Sequence, residues 1–333
     1  MTDMSAESSP DGTLRLERSI RVPPTVSAHA QAVIAGGQAM VVDRLTNPAT
    51  SPPLDDATAW KAQIAATDEM IITGFAASAA DIVATVEARE IAGVPVNVIT
   101  PEAVGAAGDA SDDAVVMLDI HGGALIAGGG AACKLMNTAT AARAGLHTWG
   151  VDYRMPPDHP YPTPLDDCVA VYRALLDERS PDKIVVGGGS AGGNLVAAML
   201  LRAKDEGLPM PAALVAMTPE IDLTESGDSF DTNAGVDYVL VDRLTDSIAL
   251  YAGDHDLTHP YLSPIFGDLT GFPPTFVQAG TRATSSSPTR CASTASCATQ
   301  ASTPSCTSGR RCLTAGSSAL PRTPRSPSRC AGS

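Results

Sequence analysis

The sequence predicts an α/β domain built on a mainly parallel sheet with helices on both faces. Three observations carry this. Short apolar runs of strand length recur along the chain, segments with helical apolar spacing separate them, and glycine- or proline-rich breakers mark the joins. Residues 26–40 and 56–77 carry apolar positions at helical spacing and precede the first strand signals. Val94–Ile99 and Val115–Ile120 read as buried strands, the second running into His121-Gly122-Gly123-Ala124. Leu146–Tyr153 is the next strand, followed by a proline-rich turn and a helix through Leu165–Leu176. Lys183–Val186 is a short β-rich run with a helical stretch, Asn194–Ala203, after it. Ala213–Met217 and Thr275–Gln278 complete the strands, and no internal repeat is visible.

Composition bounds the function. The 333 residues, 44% of them hydrophobic, suffice for a sizeable core in one large domain or two small ones. No apolar run approaches the ~20 residues of a membrane span. The first 25 residues are polar and mixed in charge, so no secretory signal is expected and the cytoplasm is the expected compartment. A formal charge of −15 argues against nucleic acid or an anionic membrane as partner, since both demand positive charge.

Gly188-Gly189-Ser190-Ala191-Gly192 lies between a strand and a helix and matches G-x-S-x-G in the context its chemistry requires. A serine at such an elbow holds its hydroxyl clear of the sheet, while the amide of Ala191 and the helix N-terminus face a developing oxyanion. The same stretch also fits the dinucleotide fingerprint G-x-G-x-x-G through Gly187, Gly189 and Gly192, which would make the chain an NAD-dependent oxidoreductase. His121-Gly122-Gly123 discriminates. A His-Gly-Gly turn after an upstream strand supplies backbone N–H groups to a tetrahedral intermediate, and a dinucleotide fold has no use for it. His121 is expected to brace that loop without transferring protons.

These residues resemble the bacterial hormone-sensitive-lipase-like (family IV) esterases of the α/β-hydrolase fold. The likeness rests on His121-Gly122-Gly123-Ala124, on the run from Asp152-Tyr153-Arg154 to Asp158-His159-Pro160, on Gly189-Ser190-Ala191-Gly192-Gly193-Asn194-Leu195 and on Phe272-Pro273-Pro274, and covers roughly residues 20–282. Two departures stand out: Ala124 replaces a usual third glycine, and Gly189 stands where aspartate is common. The resemblance implies that Ser190 is the nucleophile and that the amides of Gly122, Gly123 and Ala191 form the oxyanion hole, with His121 supporting the oxyanion loop. It also implies N-terminal cap helices over residues 1–77, a hydrolase core over 78–282 and a contribution to the cap from 224–258. Arg154 and Asp158 would hold the loop beneath the site. Such esterases take short acyl esters, and relatives take lactones, with no cofactor and no metal; the expected partner is a small-molecule ester or lactone, with homodimerisation left open.

The family places an acid and a histidine after the strand at Phe276–Gly280, and the chain has no Asp, Glu or His after residue 282. Its histidines are His29, His121, His147, His159, His255 and His259; His255 and His259, with Asp222 or Asp254 as acids, are the remaining substitutes, and no spacing favours them. Residues 283–333 use only nine amino-acid types, hold five of the seven cysteines and carry +6 against −21 for the preceding chain. A segment with so little to bury is not expected to pack as a core element, so the last strand and helix should be absent or disrupted. A Ser/Thr/Pro-rich stalk or a disulfide-tied extension would each presume export.

A shifted reading frame in a GC-rich gene accounts for the tail better. Codons taken one base earlier turn Thr into Asp, His, Asn or Tyr, and Ser into Leu, Val, Ile or Phe. The tail then admits a string opening DLLLSD and later reading MPHGGF. Its Asp codon spans Ala283 and Thr284, and its His codon Leu313 and Thr314. The chain as written is therefore expected to lack its acid and base and to be severely impaired. Alternatives are a lactone hydrolase and a non-catalytic homologue. Sequencing the gene across the codons for Gln278 to Ser333 should find that Asp and His in the adjacent frame, one small insertion or deletion away; an incoherent adjacent frame would show the tail to be genuine.

Overall fold

The strands form where β-branched and other apolar residues run together between glycine, proline or charged breakers, and the longer helices where apolar residues recur every three or four positions. The computed structural model describes residues 4–11, 14–19, 21–48, 50–104, 114–232, 237, 239–279 and 305–306. An antiparallel hairpin, β1 (Met4–Ser8) and β2 (Leu14–Arg18), precedes two long helices, α1 (Ala28–Thr46) and α2 (Ala57–Ala79). Ser27 and Asp56 cap those helices, accepting the N–H groups of Ala30 and Ala59. There follow β3 (Ala84–Ile91), β4 (Val94–Pro101), β5 (Val116–Ile120), α3 (Ala131–Ala144), β6 (His147–Val151), α4 (Thr163–Glu178), β7 (Ile184–Gly189), α5 (Ala191–Asp205) and β8 (Ala213–Met217). The short helices α6 (Ser229–Thr232) and α7 (Thr245–Ala252) lead to β9 (Thr275–Gln278), and β10 (Ser305–Cys306) completes the described residues.

The eight-stranded sheet has the order β10-β9-β8-β7-β5-β6-β4-β3. Every neighbouring pair from β6 through β5 and β7 to β10 is parallel, while β4 pairs antiparallel with β6 and β3 with β4. All five residues of β5 are buried, as a central strand covered on both faces requires. Helix α3 packs on β4, β5 and β6 with α2 outside it, and α5 packs on β5, β7 and β8 with α4 beside it. The core, centred on Leu118, Ile120, Val151, Val186, Leu195 and Leu200, lies between α4 and α5 and the sheet face that carries Val116, Leu118 and Ile120.

The mainly parallel sheet and its flanking helices are as predicted from the apolar runs. The N-terminal stretch differs: residues 4–8 and 14–18 pair as antiparallel strands rather than belonging to helices, and β3 and α3 carry no clear signal in the sequence. Strand β3 is a half-exposed outer strand with charged positions, and α3 is built from small residues without a marked apolar stripe. The expected loss of the last strand and helix falls on residues 283–333. Of these only β10 is described, pairing Ser305 and Cys306 with Phe276 and Val277; the proposed reading-frame change lies otherwise outside the described residues. Among the described residues no helix is long and apolar enough to cross a membrane.

Candidate active site

Ser190 joins β7 to α5 with φ +53° and ψ −121°, a backbone region that a side-chain-bearing residue enters only when its surroundings hold it there. Its N–H donates to the Met217 carbonyl at 3.0 Å, and its carbonyl accepts from Asn194 at 3.2 Å and Glu220 at 3.1 Å. A turn this tight needs α5 to start hard against the end of β5. A Cβ on Gly192 would lie 1.9 Å from the Ile120 carbonyl oxygen, so only glycine fits.

The loop after β5 lies against this elbow. A Cβ on Gly122 would sit 2.7 Å from the Gly189 carbonyl oxygen and 3.4 Å from Ser190 Cβ. Among the described residues, the N–H groups of Gly122, Gly123 and Ala191 donate no hydrogen bond within the protein. Three unspent donors thus belong to residues that flank one serine. Ala124 has φ +55°, a left-handed conformation that costs a residue with Cβ about 1 kcal/mol. The structure accommodates this departure from the family pattern, at some local strain. Gly189 closes β7 and faces Met217, which explains no need for an aspartate there.

His121 is buried and stacks flat on Tyr153, ring centroids 4.2 Å apart. Its Nδ1 lies 2.8 Å from the Gly122 carbonyl oxygen, which can only accept, so Nδ1 carries the proton. Burial pulls its pKa down to about 4, so the ring is neutral at pH 7 and acts as a brace. The Tyr153 hydroxyl donates to the His121 carbonyl at 3.0 Å, fixing the same residue from a second side.

One face of α2 holds this loop and roofs the space in front of the serine. Trp60, fully buried, packs with Ile126 and Ala127, and Asp68 accepts the Gly128 N–H at 2.6 Å. Farther along, Thr67, Ile71 and Phe75 line a cavity of about 510 Å³ that Ser190, Gly122 and Gly123 also line. Met217, Val239, Leu240 and Leu244 supply much of its remaining apolar wall. Sequence reasoning missed Trp60, Asp68 and Phe75 because their roles arise from contacts some sixty positions away.

Ser190, Gly122, Gly123, Ala191 and His121 are therefore brought together where the sequence places them. Among the described residues Ser190 Oγ has no hydrogen-bond partner, and no histidine apart from His121 lines its cavity. His255 is exposed, edge-on to Tyr161, and lines with Asp254 a separate cavity of about 490 Å³; His259 is exposed beside Tyr261. Asp222 is buried and accepts from Thr224 and Ser226. Arg154 pairs with the buried Asp167 of α4 at 2.6 Å, which anchors the segment after β6. Asp158 instead meets Lys61 of α2 at 2.8 Å, tying that segment to the roof.

A serine on a strand-to-helix elbow at the centre of a parallel sheet, with unbonded amides beside it, defines the α/β-hydrolase class of proteins. The profile of a family described as alpha/beta hydrolase fold matches residues 117–301. An acetyl-hydrolase of Streptomyces hygroscopicus is 36% identical over 174 residues, 51% of this chain and 58% of that protein. An esterase of Acinetobacter venetianus is 37% identical over 171 residues, 50% of this chain and 56% of its own. The chain thus spans somewhat over half the length of these curated relatives. Among solved structures, esterase E25 superposes with a TM-score of 0.75 at 31% identity, covering 87% of each chain. A hormone-sensitive lipase from a metagenome library gives 0.65 at 28% identity, covering 82% of this chain and 86% of its own. The chain belongs to the α/β-hydrolase-fold family, on its hormone-sensitive-lipase-like side. This overturns the dinucleotide reading of Gly187, Gly189 and Gly192: Gly187 packs against Met117 inside the sheet, and the other two shape the elbow.

Two expectations follow from the geometry. Gly192→Ala should cost more than about 3 kcal/mol or abolish folding, measured by urea denaturation, because the clash is with backbone. Asp119, also at the cavity, is buried and hydrogen-bonded to Asn137 at 2.9 Å. Burial lifts its pKa to about 6, so the folded chain retains a proton that the unfolded chain releases near pH 4. Its contribution to stability is full below that value and lost as pH rises through about 6. Asp119→Asn should therefore flatten the stability profile between pH 4 and 6, by on the order of 2–3 kcal/mol; unchanged slopes in denaturation at the two pH values would refute this.

Proposed function

We propose that this chain descends from a carboxylic ester hydrolase working through a serine acyl-enzyme. The observation that carries the reading is Ser190, held on a constrained elbow against the unbonded amides of Gly122, Gly123 and Ala191. In the reaction, Ser190 Oγ attacks the ester carbonyl carbon, and the three amides take up the charge that develops on the carbonyl oxygen. The alcohol leaves, and water then releases the acid from the acyl-enzyme. His121, neutral and spent on the Gly122 carbonyl, positions the loop and exchanges no proton with substrate.

The apolar cavity of about 510 Å³ suits short acyl esters, and a lactone would fit the same space. Helices α1 and α2, with a contribution from part of 224–258 that includes Val239, Leu240 and Leu244, act as its cap. Two buried free thiols, Cys133 and Cys168, agree with a reducing cytoplasmic setting.

A serine hydroxyl needs a base to take its proton, and among the described residues no histidine apart from His121, whose proton is held by the Gly122 carbonyl, lines the Ser190 cavity. The chain as written therefore turns over poorly, retaining the residual ~10³–10⁴-fold over water that an oxyanion hole alone can leave. The same observation favours a second reading, a non-catalytic homologue that binds esters. In assays with p-nitrophenyl butyrate, the chain should run at least ~10³-fold below one carrying the restored frame, whose activity Ser190→Ala abolishes. Ordinary esterase rates from the unrestored chain, lost on Ser190→Ala, would sink the missing-base claim. Saturable ester binding by the chain as written, unaffected by Ser190→Ala, with no turnover in the restored chain either, would favour the binding protein.

A further inference from the structure

We propose that His121, Cys133 and Asp152 form a structural site for one borderline divalent cation, zinc above all, beneath the oxyanion loop. Each residue offers a ligating atom, and the three atoms lie within 4.8 Å of one another. An ion set among atoms so spaced sits within about 2.8 Å of each, so shifts of roughly 0.5–0.8 Å reach the 2.0–2.3 Å of zinc–nitrogen, –oxygen and –sulfur bonds.

The histidine gives a second, independent indication. His121 is 3% exposed, and its Nε2 has no hydrogen-bond partner. Since Nδ1 donates to the Gly122 carbonyl, Nε2 is left as a bare lone pair in the protein interior, which is costly unless something binds it. A metal-bound histidine commonly has this pairing, with one nitrogen on the ion and the other N–H on a backbone carbonyl.

The other two ligands fit in charge and access. Cys133 Sγ donates to Asn137 Oδ1 at 2.8 Å, so the thiol is protonated while the site is metal-free. Metal binding forms the Cys133 sulfur–metal bond and releases that proton to solvent, with no change of oxidation state. Thiolate and carboxylate together then cancel the two positive charges, which permits burial. Asp152 is partly exposed, accepts the Gly130 N–H at 3.1 Å and offers the way in. A nitrogen–sulfur–oxygen set selects zinc or cobalt over magnesium or calcium. The three ligands come from the residue after β5, the first turn of α3 and the residue after β6, so the ion would join three elements under one loop.

The test uses the full chain with Cys291, Cys297, Cys306, Cys312 and Cys330 replaced by serine to remove competing thiols. Titration with Co²⁺ should give a thiolate-to-cobalt charge-transfer band that saturates at one equivalent and is displaced by Zn²⁺. Zn²⁺ should also raise the melting temperature. Cys133→Ala in the same background should lose the band, and Asp152→Asn should keep a band while weakening affinity at least ~10-fold. Near-UV circular dichroism establishes that each variant is folded. If the serine replacements or Cys133→Ala impair folding, the affinity loss in Asp152→Asn of the otherwise unaltered chain decides. No band at excess Co²⁺, a band that survives Cys133→Ala, or an affinity unmoved by Asp152→Asn overturns the site. The readout is independent of esterase activity.

Discussion

The contact between Gly192 and the end of β5 governs the geometry of the site. The first turn of α5 meets the Ile120 carbonyl with no side chain between them, at a separation where a Cβ would stand 1.9 Å from oxygen. That approach forces the chain to reverse within one residue, which is why Ser190 takes φ +53°. It also brings the loop that continues β5 alongside the elbow, since β5 and β7 are paired neighbours in the sheet. The bonds from Ser190 to Met217 and Glu220 then lock the turn to the end of β8. Backbone, more than side chains, thus builds the place where a reacting carbonyl would lie.

Several polar groups buried around this backbone are matched in pairs. His121 and Tyr153 form one unit, stacked and joined through the His121 carbonyl. Asp119 and Asn137 form another between β5 and α3. Arg154 reaches Asp167 through both its side chain and its backbone N–H, with the aspartate buried and the guanidinium half in water. A pair so exposed on one side contributes modest energy, but it sets where the segment after β6 turns.

The central strands were legible because β4 to β9 are apolar runs bounded by breakers, and burial on both faces erases alternation without hiding the run. The serine elbow and the His-Gly-Gly turn were legible because their chemistry demands small residues in a fixed local order. Outer parts were less so. Strand β3 reads ATVEAREI and owes its place to pairing with β4, and α3 begins after a glycine and is rich in alanine and threonine. Among the described residues, strands β1 and β2 pair with each other in a separate two-stranded sheet. The grip of Trp60 and Asp68 on the loop could not be read at all, because nothing local in α2 signals a partner sixty residues distant. The free Nε2 of His121 belongs to the same category: its sequence neighbours predicted the brace, and only the fold shows the nitrogen left over.

Helix α2 presents Trp60, Ile64, Asp68, Ile71 and Phe75 at intervals of three or four residues, hence along one stripe. The first three meet or pack on the loop by the serine, and the last two reach over the cavity. Mechanically this is a beam pinned at the loop through Trp60 and Asp68 and bedded along α3. From Asp68 to Phe75 the axis extends about 10 Å. The width of the chamber is therefore set by how this stretch of α2 lies on α3, while the peptide planes beside Ser190 are set by the sheet.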